Sequence, residues 1–275
     1  MQIPKDRHIK FGRAKFKIKI TNNMNLEDKV AIITGASAGI GAATVKALLK
    51  HGMKVVGFAR RKELIENLVK NHNGKVFARC VDLTKPQEIL DGFDWVTKNV
   101  GPIHVLINNA GISKDAPILT GNLEDWKQIM DTNFMSIAIG CKAAVKIMRE
   151  HLIDGYIINI NSVLGYYDIQ EPSLTMYTSS KYALRVMTEN IRLELAKIGS
   201  NIRITNLAPG LVKTDIFETA FGINISNAVY ENLPFIFSED IADTITYLLS
   251  TPPRVNISEM LVVPTGEISK KLNLY

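Results

Sequence analysis

The sequence predicts a single-domain α/β protein in which helices cover both faces of a doubly wound, mostly parallel sheet of seven strands. Three observations favour this fold class. From Lys29 onward, short β-branched runs alternate with longer segments of helical periodicity, which is typical of parallel sheets with right-handed crossovers. Nearly all of the short runs are continuously apolar, as expected for strands buried on both faces. The length of 275 residues, without a repeat or a linker, favours one domain.

The elements can be placed in order along the chain. The apolar runs predict strands at Val30–Thr34, Lys54–Ala59, Lys75–Val81, Val105–Asn108, Tyr156–Asn161, Arg203–Leu207 and Met260–Val263. The segments between them predict helices at Gly39–Lys50, Pro86–Lys98, Trp126–His151, Met176–Lys197 and Glu239–Leu249. These elements define a domain over residues 25–275, preceded by an extension over residues 1–24.

The basic residues of the chain are unevenly distributed. Residues 1–24 contain seven of them against the single acidic Asp6, so this extension accounts for the whole net charge of +6. The other residues are balanced, with 26 basic and 26 acidic side chains. A nucleic-acid-binding protein carries its positive charge on the folded domain. We therefore expect no nucleic-acid partner.

Within the extension, the segment Lys15–Ile20 alternates lysine with apolar residues. An extended chain would separate the two kinds of side chain and could anchor the protein to anionic lipid. The alternative, which we favour, is a disordered extension with Met24 as the functional start.

The location of the protein is predicted from its apolar segments and its cysteines. No apolar run approaches the roughly 20 residues that span a bilayer, and the N-terminus lacks the apolar core of a secretory signal. Cys80 and Cys141 lie in apolar contexts that predict small core residues in a reducing compartment. A cytoplasmic protein without integral membrane contact is expected.

A glycine-rich turn, TGASAGIG over Thr34–Gly41, follows the first predicted strand and opens the first predicted helix. Glycines at such a turn let the backbone approach a pyrophosphate, and the helix N-terminus favours the negative charge of the phosphates. A turn of this kind can also be purely structural. As a dinucleotide site it would contribute Gly35, Ser37, Gly39, Ile40 and Gly41.

The end of the second predicted strand distinguishes between the two common dinucleotides. An NAD enzyme usually places Asp or Glu there, where the carboxylate binds the ribose 2′-hydroxyl. This strand ends at Ala59 and is followed by Arg60 and Arg61, whose guanidinium groups can bind a 2′-phosphate. Both arginines could instead be solvated at a strand end. Given the glycine turn upstream, we predict NADP(H), with Arg60 as the leading ligand and Arg61 as a second.

The spacing of Tyr177 and Lys181 places them on one face of a predicted helix, a turn apart. A free tyrosine has a pKa near 10, and we expect the ammonium to lower it toward the working pH, which would make Tyr177 an acid/base. Of the eight tyrosines, only Tyr177 has a lysine four residues later. Ser162 follows a predicted strand, at the edge where ligands of doubly wound sheets bind. Its hydroxyl could donate to a substrate oxygen, or it could cap a loop.

In order, these segments resemble the signature set of the short-chain dehydrogenase/reductase family from residue 29 to about residue 265. The set comprises Thr34–Gly41, Asn108–Gly111, Ser162, Tyr177 with Lys181, and Pro209–Gly210. The resemblance implies a Rossmann fold and reversible hydride transfer between NADP(H) and an alcohol or carbonyl compound. No metal site is predicted.

The resemblance also implies roles for individual residues. Asn133 would complete a catalytic tetrad with Ser162, Tyr177 and Lys181, by anchoring a water that relays protons to Lys181. Lys181, together with Tyr177, would contact the nicotinamide ribose. The remaining cofactor contacts would be Asp82, Leu83, Asn109, Ala110, Gly111, Pro209, Gly210, Val212 and Thr214. As structure alone, residues 109–111 could be only a turn and Asn133 only a polar residue on an amphipathic helix.

The substrate is predicted from a narrower resemblance and from composition. Val55–Arg61 and Val263–Glu267 are similar to insect farnesol dehydrogenases and to vertebrate cytosolic relatives acting on keto-steroids, whereas Tyr166–Leu174 departs from them. An apolar cleft suits a lipophilic alcohol or ketone, and its residues would be Phe217, Phe221, Ile223, Ile225, Tyr230, Leu233, Phe235 and Phe237, with Tyr166 and Tyr167 at the same mouth. These side chains could instead pack into the core or a subunit contact, and the substrate could be a small polar carbonyl.

Two further expectations concern function class and assembly. A redox sensor that binds dinucleotide without turnover is the rival class, but a sensor needs no proton donor such as Tyr177. The predicted helices Trp126–His151 and Met176–Lys197 carry apolar residues around much of their circumference and need cover besides the sheet. In the family the equivalent helices form a dimer interface, so a homodimer or homotetramer is expected.

Overall fold

The computed structural model describes residues 25–68 and 74–267, and within them the predicted fold class is confirmed. Seven parallel strands form one sheet in the order β3-β2-β1-β4-β5-β6-β7. The strands are β1 (Val30–Thr34), β2 (Lys54–Ala59), β3 (Val76–Cys80), β4 (Ile103–Asn108), β5 (Tyr156–Ile160), β6 (Arg203–Pro209) and β7 (Glu259–Val262). The helices are α1 (Gly39–Lys50), α2 (Lys62–Leu68), α3 (Pro86–Asn99), α4 (Leu123–Met130), α5 (Ser136–Glu150), α6 (Thr175–Lys197), α7 (Ile216–Phe221), α8 (Ile223–Asn232) and α9 (Ser238–Ser250). The predicted extension over residues 1–24 lies outside the described residues.

Successive side chains of β1 enter two different core layers. Ala31 and Ile33 lie in the layer beneath α1 and α9, whereas Val30 and Ile32 lie in the layer beneath α3 and α5. Every residue of β1 is buried. This double burial is the reason why the strands are continuously apolar in the sequence instead of alternating.

The order of the strands reverses at β1, which lies between β2 and β4. The chain leaves β1 toward α1 on one face of the sheet, and it leaves β4 toward α4 and α5 on the other. A crevice therefore opens beyond the carboxyl ends of these two strands, where ligands of open parallel sheets bind.

The helices differ from the prediction in two respects. The sequence does not predict α2, α7 or α8, which are only seven, six and ten residues long. The expected helix Trp126–His151 consists of α4, a π-helical turn at Asp131–Met135, and α5. It also begins earlier, because the side chain of Asn122 accepts a hydrogen bond from the N–H of Glu124 (2.8 Å) and caps α4.

The amino edge of the sheet is held together by Arg203, the first residue of β6. Its buried guanidinium donates to the hydroxyl of Thr251 (2.8 Å) and to the carbonyl oxygen of Val255 (3.1 Å). It also lies 4.1 Å from the centroid of the Tyr156 ring. These contacts fasten the turn after α9 to the sheet, at the edge opposite the crevice.

The two cysteines have different environments. Cys141 is buried as predicted, and burial raises the pKa of its thiol to about 12. Cys80 is exposed, so its interpretation as a core residue is wrong. It ends β3, an edge strand with a neighbour on one side only, whose last residue is not covered by the layers that bury the central strands.

Within residues 25–68 and 74–267, no helix is long and apolar enough to cross a membrane. In the same described part of the chain, no group of three or more His, Cys, Asp or Glu side chains is placed to hold a metal ion.

Candidate active site

The glycine-rich turn between β1 and α1 forms a tight cradle. A Cβ atom on Gly41 would lie 2.2 Å from the carbonyl oxygen of Gly35, so only glycine lets the turn close. Gly35 adopts a φ of +65°, a conformation that favours glycine. Ala38 precedes α1 and provides no side-chain cap, which leaves the first N–H groups of the helix available to an anion. The cradle thus fits a dinucleotide pyrophosphate.

Asn109 fastens this cradle to the end of β4. Its Nδ2 donates to the carbonyl oxygens of Thr34 (3.0 Å) and Gly35 (3.2 Å). In return, the Thr34 hydroxyl accepts the N–H groups of Asn109 (3.0 Å) and Ala110 (3.1 Å). The Asn109 side chain is therefore engaged in holding two strand ends together, and the backbone from Asn109 to Gly111 forms one wall of the crevice.

Arg60 and Arg61 are exposed where β2 ends. The neighbouring Asp82, just beyond β3, accepts hydrogen bonds from the N–H (3.0 Å) and hydroxyl (2.8 Å) of Thr84. Burial opposes the ionisation of Asp82, but these hydrogen bonds and the charges of Lys85 and Arg60 lower the pKa of its carboxyl group. Arg60 and Asp82 therefore lie near each other at the far end of the crevice.

The segment after β6 forms the opposite wall. Pro209 ends β6, and the N–H of Gly210 donates to the carbonyl oxygen of Val262 (2.8 Å). Thr214 reaches the cradle, since its Cγ2 lies 3.2 Å from where a Cβ on Gly39 would be. Val212 is buried and pairs with Ile236 in an isolated bridge.

Three other predicted cofactor residues lie along the crevice or behind it. Ser37 is half-buried in the cradle. Ile40 packs against the core layer beneath α1, and Leu83 packs against the layer on the other face of the sheet. Of these three, only Ser37 presents a polar side chain to a ligand.

Three predicted catalytic residues meet at the carboxyl end of β5. Ser162 follows β5, and Tyr177 and Lys181 lie one turn apart near the start of α6. The Lys181 ammonium lies 5.5 Å from the centroid of the Tyr177 ring and donates to the carbonyl oxygen of Ile160 (3.1 Å). The Ser162 hydroxyl accepts the N–H of Leu164 (3.1 Å) and also interacts with the phenol of Tyr177. Ser162 therefore caps a loop and faces the phenol at once.

Burial shifts the pKa values of Tyr177 and Lys181 in the directions that favour the neutral form of each side chain. It raises the pKa of Tyr177 to about 12, and the neighbouring Ser162 hydroxyl opposes this rise. The phenol is deeply enclosed, although the side chain as a whole is only half-buried. Burial also lowers the pKa of Lys181 to about 8. The expectation that Lys181 lowers the pKa of Tyr177 is therefore wrong for this structure, because desolvation of the phenol dominates.

Asn133 lies fully buried in the π-helical turn between α4 and α5. Its amide exchanges two hydrogen bonds of 2.9 Å with the backbone of Ile112, and it also donates to the hydroxyl of Ser180 (3.2 Å). A Cβ on Gly111 would lie 3.7 Å from both the Asn133 amide oxygen and the Lys181 ammonium. Asn133 therefore lies close to Lys181 and joins α6 to the loop after β4.

Aromatic side chains after β6 pack edge to face in a row. The ring centroid of Tyr230 lies 6.1 Å from that of Phe217 and 5.6 Å from that of Phe235. Phe235 in turn packs against Phe237 at 5.5 Å. Other apolar residues of the predicted cleft, Ile223 and Ile225, are about half exposed, at 51% and 50%.

Tyr166 and Tyr167 each make a polar contact through the hydroxyl group. The Tyr166 hydroxyl accepts a hydrogen bond from Asn206 (2.8 Å). The Tyr167 hydroxyl donates to the carboxylate of Glu267 (2.7 Å), which also accepts the N–H of Leu211 (3.3 Å). Sequence reasoning did not single out Glu267, whose only signal was its place in the segment Val263–Glu267.

The chain matches a family model described as short chain dehydrogenase over residues 29–222. A farnesol dehydrogenase from Aedes aegypti is 39% identical over 244 residues, which cover 87% of this chain and 97% of that protein. Dehydrogenase/reductase SDR family member 11 from Gallus gallus is 38% identical over 252 residues, covering 88% and 98%. Among solved structures, a serine dehydrogenase complexed with NADP+ superposes with a TM-score of 0.82 at 26% identity, over 90% of this chain and 99% of that one. Each of these three proteins is matched over nearly its full length.

Proposed function

We propose, because the chain belongs to the short-chain dehydrogenase family, that it transfers a hydride reversibly between NADP(H) and a lipophilic alcohol or the corresponding carbonyl compound. An isoprenoid such as farnesol or a steroid-like ketone is the favoured substrate class. One observation carries the proposal: Ser162, Tyr177 and Lys181 meet beside a glycine cradle that fits a dinucleotide.

The chain would supply the proton and the orientation for this reaction, and a bound nicotinamide would supply or accept the hydride. Ser162 would donate to the carbonyl oxygen of the substrate. Tyr177, with a pKa of about 12, is protonated at neutral pH and would pass its proton to that oxygen as the alcohol forms. The Lys181 ammonium would then stabilise the phenolate that remains. In the oxidative direction the same proton returns to Tyr177.

The other assigned residues would hold the cofactor or replenish the proton. The cradle and Thr214 would enclose the pyrophosphate, and the exposed Arg60 would bind the 2′-phosphate that distinguishes NADP(H) from NAD(H). Asn133, buried close to Lys181, would anchor the proton relay that reaches its ammonium. Arg61 and Asp82 would complete the adenosine end.

The substrate class is supported by the aromatic row after β6. A cleft with many rings and few polar groups suits a bulky apolar substrate, and Phe217, Tyr230, Phe235 and Phe237 are already packed together there. The relative from Aedes aegypti is named for farnesol. We therefore favour a lipophilic substrate over a small polar carbonyl.

The test is a turnover assay with NADPH or NADP+ against paired isoprenoid, steroid, retinoid and small polar alcohols and carbonyls. We expect the highest kcat/KM with a lipophilic pair. Tyr177→Phe should abolish turnover and leave NADPH affinity within about twofold, because only the transferable proton is lost. Retention of more than a few per cent of the wild-type rate by that variant would refute the assignment of Tyr177. Wild-type protein that binds NADPH yet turns over no pair would favour a dinucleotide sensor.

A further inference from the structure

The hydroxyl of Tyr230, on α8, lies among three backbone atoms of the segment after β6. It is 3.2 Å from the N–H of Thr214, 3.0 Å from the carbonyl oxygen of Thr214 and 3.1 Å from that of Val212. A phenol has a single proton to donate and can accept at the same time. The Tyr230 hydroxyl therefore accepts a hydrogen bond from the N–H of Thr214 and donates to one of the two carbonyl oxygens at a time.

The ring of the same residue holds the aromatic row together. It packs edge to face on Phe217, which lies on α7, and on Phe235, which lies in the return from α8 to α9. We call residues 215–237, which contain α7, α8 and this return, the lid. A single side chain thus contacts two other parts of the lid through its ring and residues 212–214 through its hydroxyl.

The lid has few other attachments to the body of the protein. No residue of α7 is fully buried, and α8 buries only Ser226. At the base of the lid, the N–H of Lys213 donates to the carbonyl oxygen of Ile236 and the N–H of Ile236 donates to that of Leu211, both at 2.9 Å. Beyond this short pairing, the hydroxyl of Tyr230 is the main polar link between α8 and the wall of the crevice.

The wall to which Tyr230 is linked also touches the cradle. Thr214 approaches Gly39 at the start of α1, where a Cβ would lie 3.2 Å from its Cγ2. A ligand that orders the backbone at Thr214 would change the geometry of its hydrogen bonds with Tyr230. Because the ring of Tyr230 packs on Phe217 and Phe235, this change would extend to the packing of the lid.

We propose that Tyr230 is a positioning residue that couples cofactor binding at residues 212–214 to closure of the lid over the substrate. This inference rests on the proposed function, because it assumes a dinucleotide in the crevice. Coupling between two sites is reciprocal. A lipophilic substrate held under the lid must therefore raise the affinity for the cofactor by the same factor as the cofactor raises the affinity for the substrate.

The experiment compares wild type, Tyr230→Phe and Tyr247→Phe by limited chymotrypsin digestion with and without saturating NADPH, with cleavage sites assigned by mass spectrometry. Phenylalanine keeps both the ring and the cleavage site, so only the hydroxyl changes at either position. Tyr247 is exposed on α9 and serves as the matched control. In wild type and in the control we expect NADPH to slow cleavage within the lid by about fivefold, which is the effect of one net hydrogen bond on an equilibrium.

In Tyr230→Phe we expect NADPH to bind but to slow cleavage in the lid by less than about twofold. With the best lipophilic substrate, the variant should show a raised KM and a smaller change in kcat. Equal NADPH protection in Tyr230→Phe and wild type would overturn the coupling, and so would wild type that binds NADPH without any protection of the lid. Failure of wild type to bind NADPH at all would instead refute the proposed function.

Discussion

At the residue scale, Lys181 carries a buried ammonium whose cost to folding depends on pH. Burial lowers its pKa from 10.5 to about 8. Between these values the folded chain binds fewer protons than the unfolded chain, so stability rises with pH across this window. Below about pH 8 the folded state bears the full cost of the desolvated charge, about 3 kcal/mol at about 1.4 kcal/mol per pKa unit.

We therefore expect Lys181→Met to raise the Tm at pH 7 while abolishing turnover. The gain in Tm should shrink as the pH increases from 8 to 10.5, because the wild-type lysine then becomes neutral. Thermal unfolding across this range measures the effect, and Lys197→Met, at the exposed end of α6, is the control. A variant less stable than wild type at pH 7 would contradict the account of Lys181.

We expect cofactor choice to depend on single residues as well, at the end of β2. Arg60→Ala should weaken the binding of NADPH by about 10- to 150-fold, because hydrogen bonds to charged groups contribute about 1.5–3 kcal/mol. It should hardly change the affinity for NADH. Adding Ala59→Asp should reverse the preference, because a carboxylate repels the 2′-phosphate and accepts from a 2′-hydroxyl. Dissociation constants for both cofactors at fixed ionic strength measure this. An equal loss for NADH and NADPH would mean that Arg60 has a structural role only.

The contacts that spacing along the chain predicts by itself are local ones. Tyr177 and Lys181 are four residues apart on one helix, so their proximity follows from the helical repeat. The bond between Tyr167 and Glu267 joins residues 100 positions apart, and only the folded sheet brings them together. The raised pKa of Tyr177 likewise depends on burial, which spacing along the chain does not reveal.

At the element scale, the first turn of α4 depends on one cap. The Asn122 side chain accepts the N–H of Glu124 at 2.8 Å. Asn122→Ala should lower the free energy of unfolding by about 1 kcal/mol, whereas Asn122→Asp should keep most of it, because aspartate caps equally well. Urea denaturation of the three proteins measures the difference. Equal losses in the two variants would show that the capping hydrogen bond is not what stabilises this turn.

The strands were predictable as elements because burial on both faces leaves a continuous apolar run in each. The helices α7 and α8 were not, because they lie on the surface with almost no buried side chains and so show no strong apolar periodicity. The π-helical turn at Asp131–Met135 was missed for another reason. The extra residue of such a turn shifts the apolar pattern by one position, which pattern alone does not distinguish from an irregular α-helix.

At the scale of the whole molecule, apolar side chains remain exposed on the helices expected to form a subunit contact. Val186 and Leu193 on α6 are 61% and 50% exposed. We expect a homodimer or homotetramer, and sedimentation at micromolar concentration should show a species heavier than 30.6 kDa. Val186→Glu should shift it toward the single chain, whereas Leu90→Glu, on α3, should not. A single 30.6 kDa species for the wild type would exclude this assembly.

Because all seven strands are parallel, the segments that line the crevice and the turns that fasten the sheet lie at opposite edges. The segments after β1, β4, β5 and β6 leave the carboxyl edge and line the crevice, while the loops of the opposite edge include the turn fastened by Arg203. Exchanging residues 215–237 for those of a relative should therefore redirect substrate preference with little change in Tm, whereas an alteration near Arg203 should do the reverse. Selection can thus act on substrate specificity and on thermal stability through opposite edges of the same sheet.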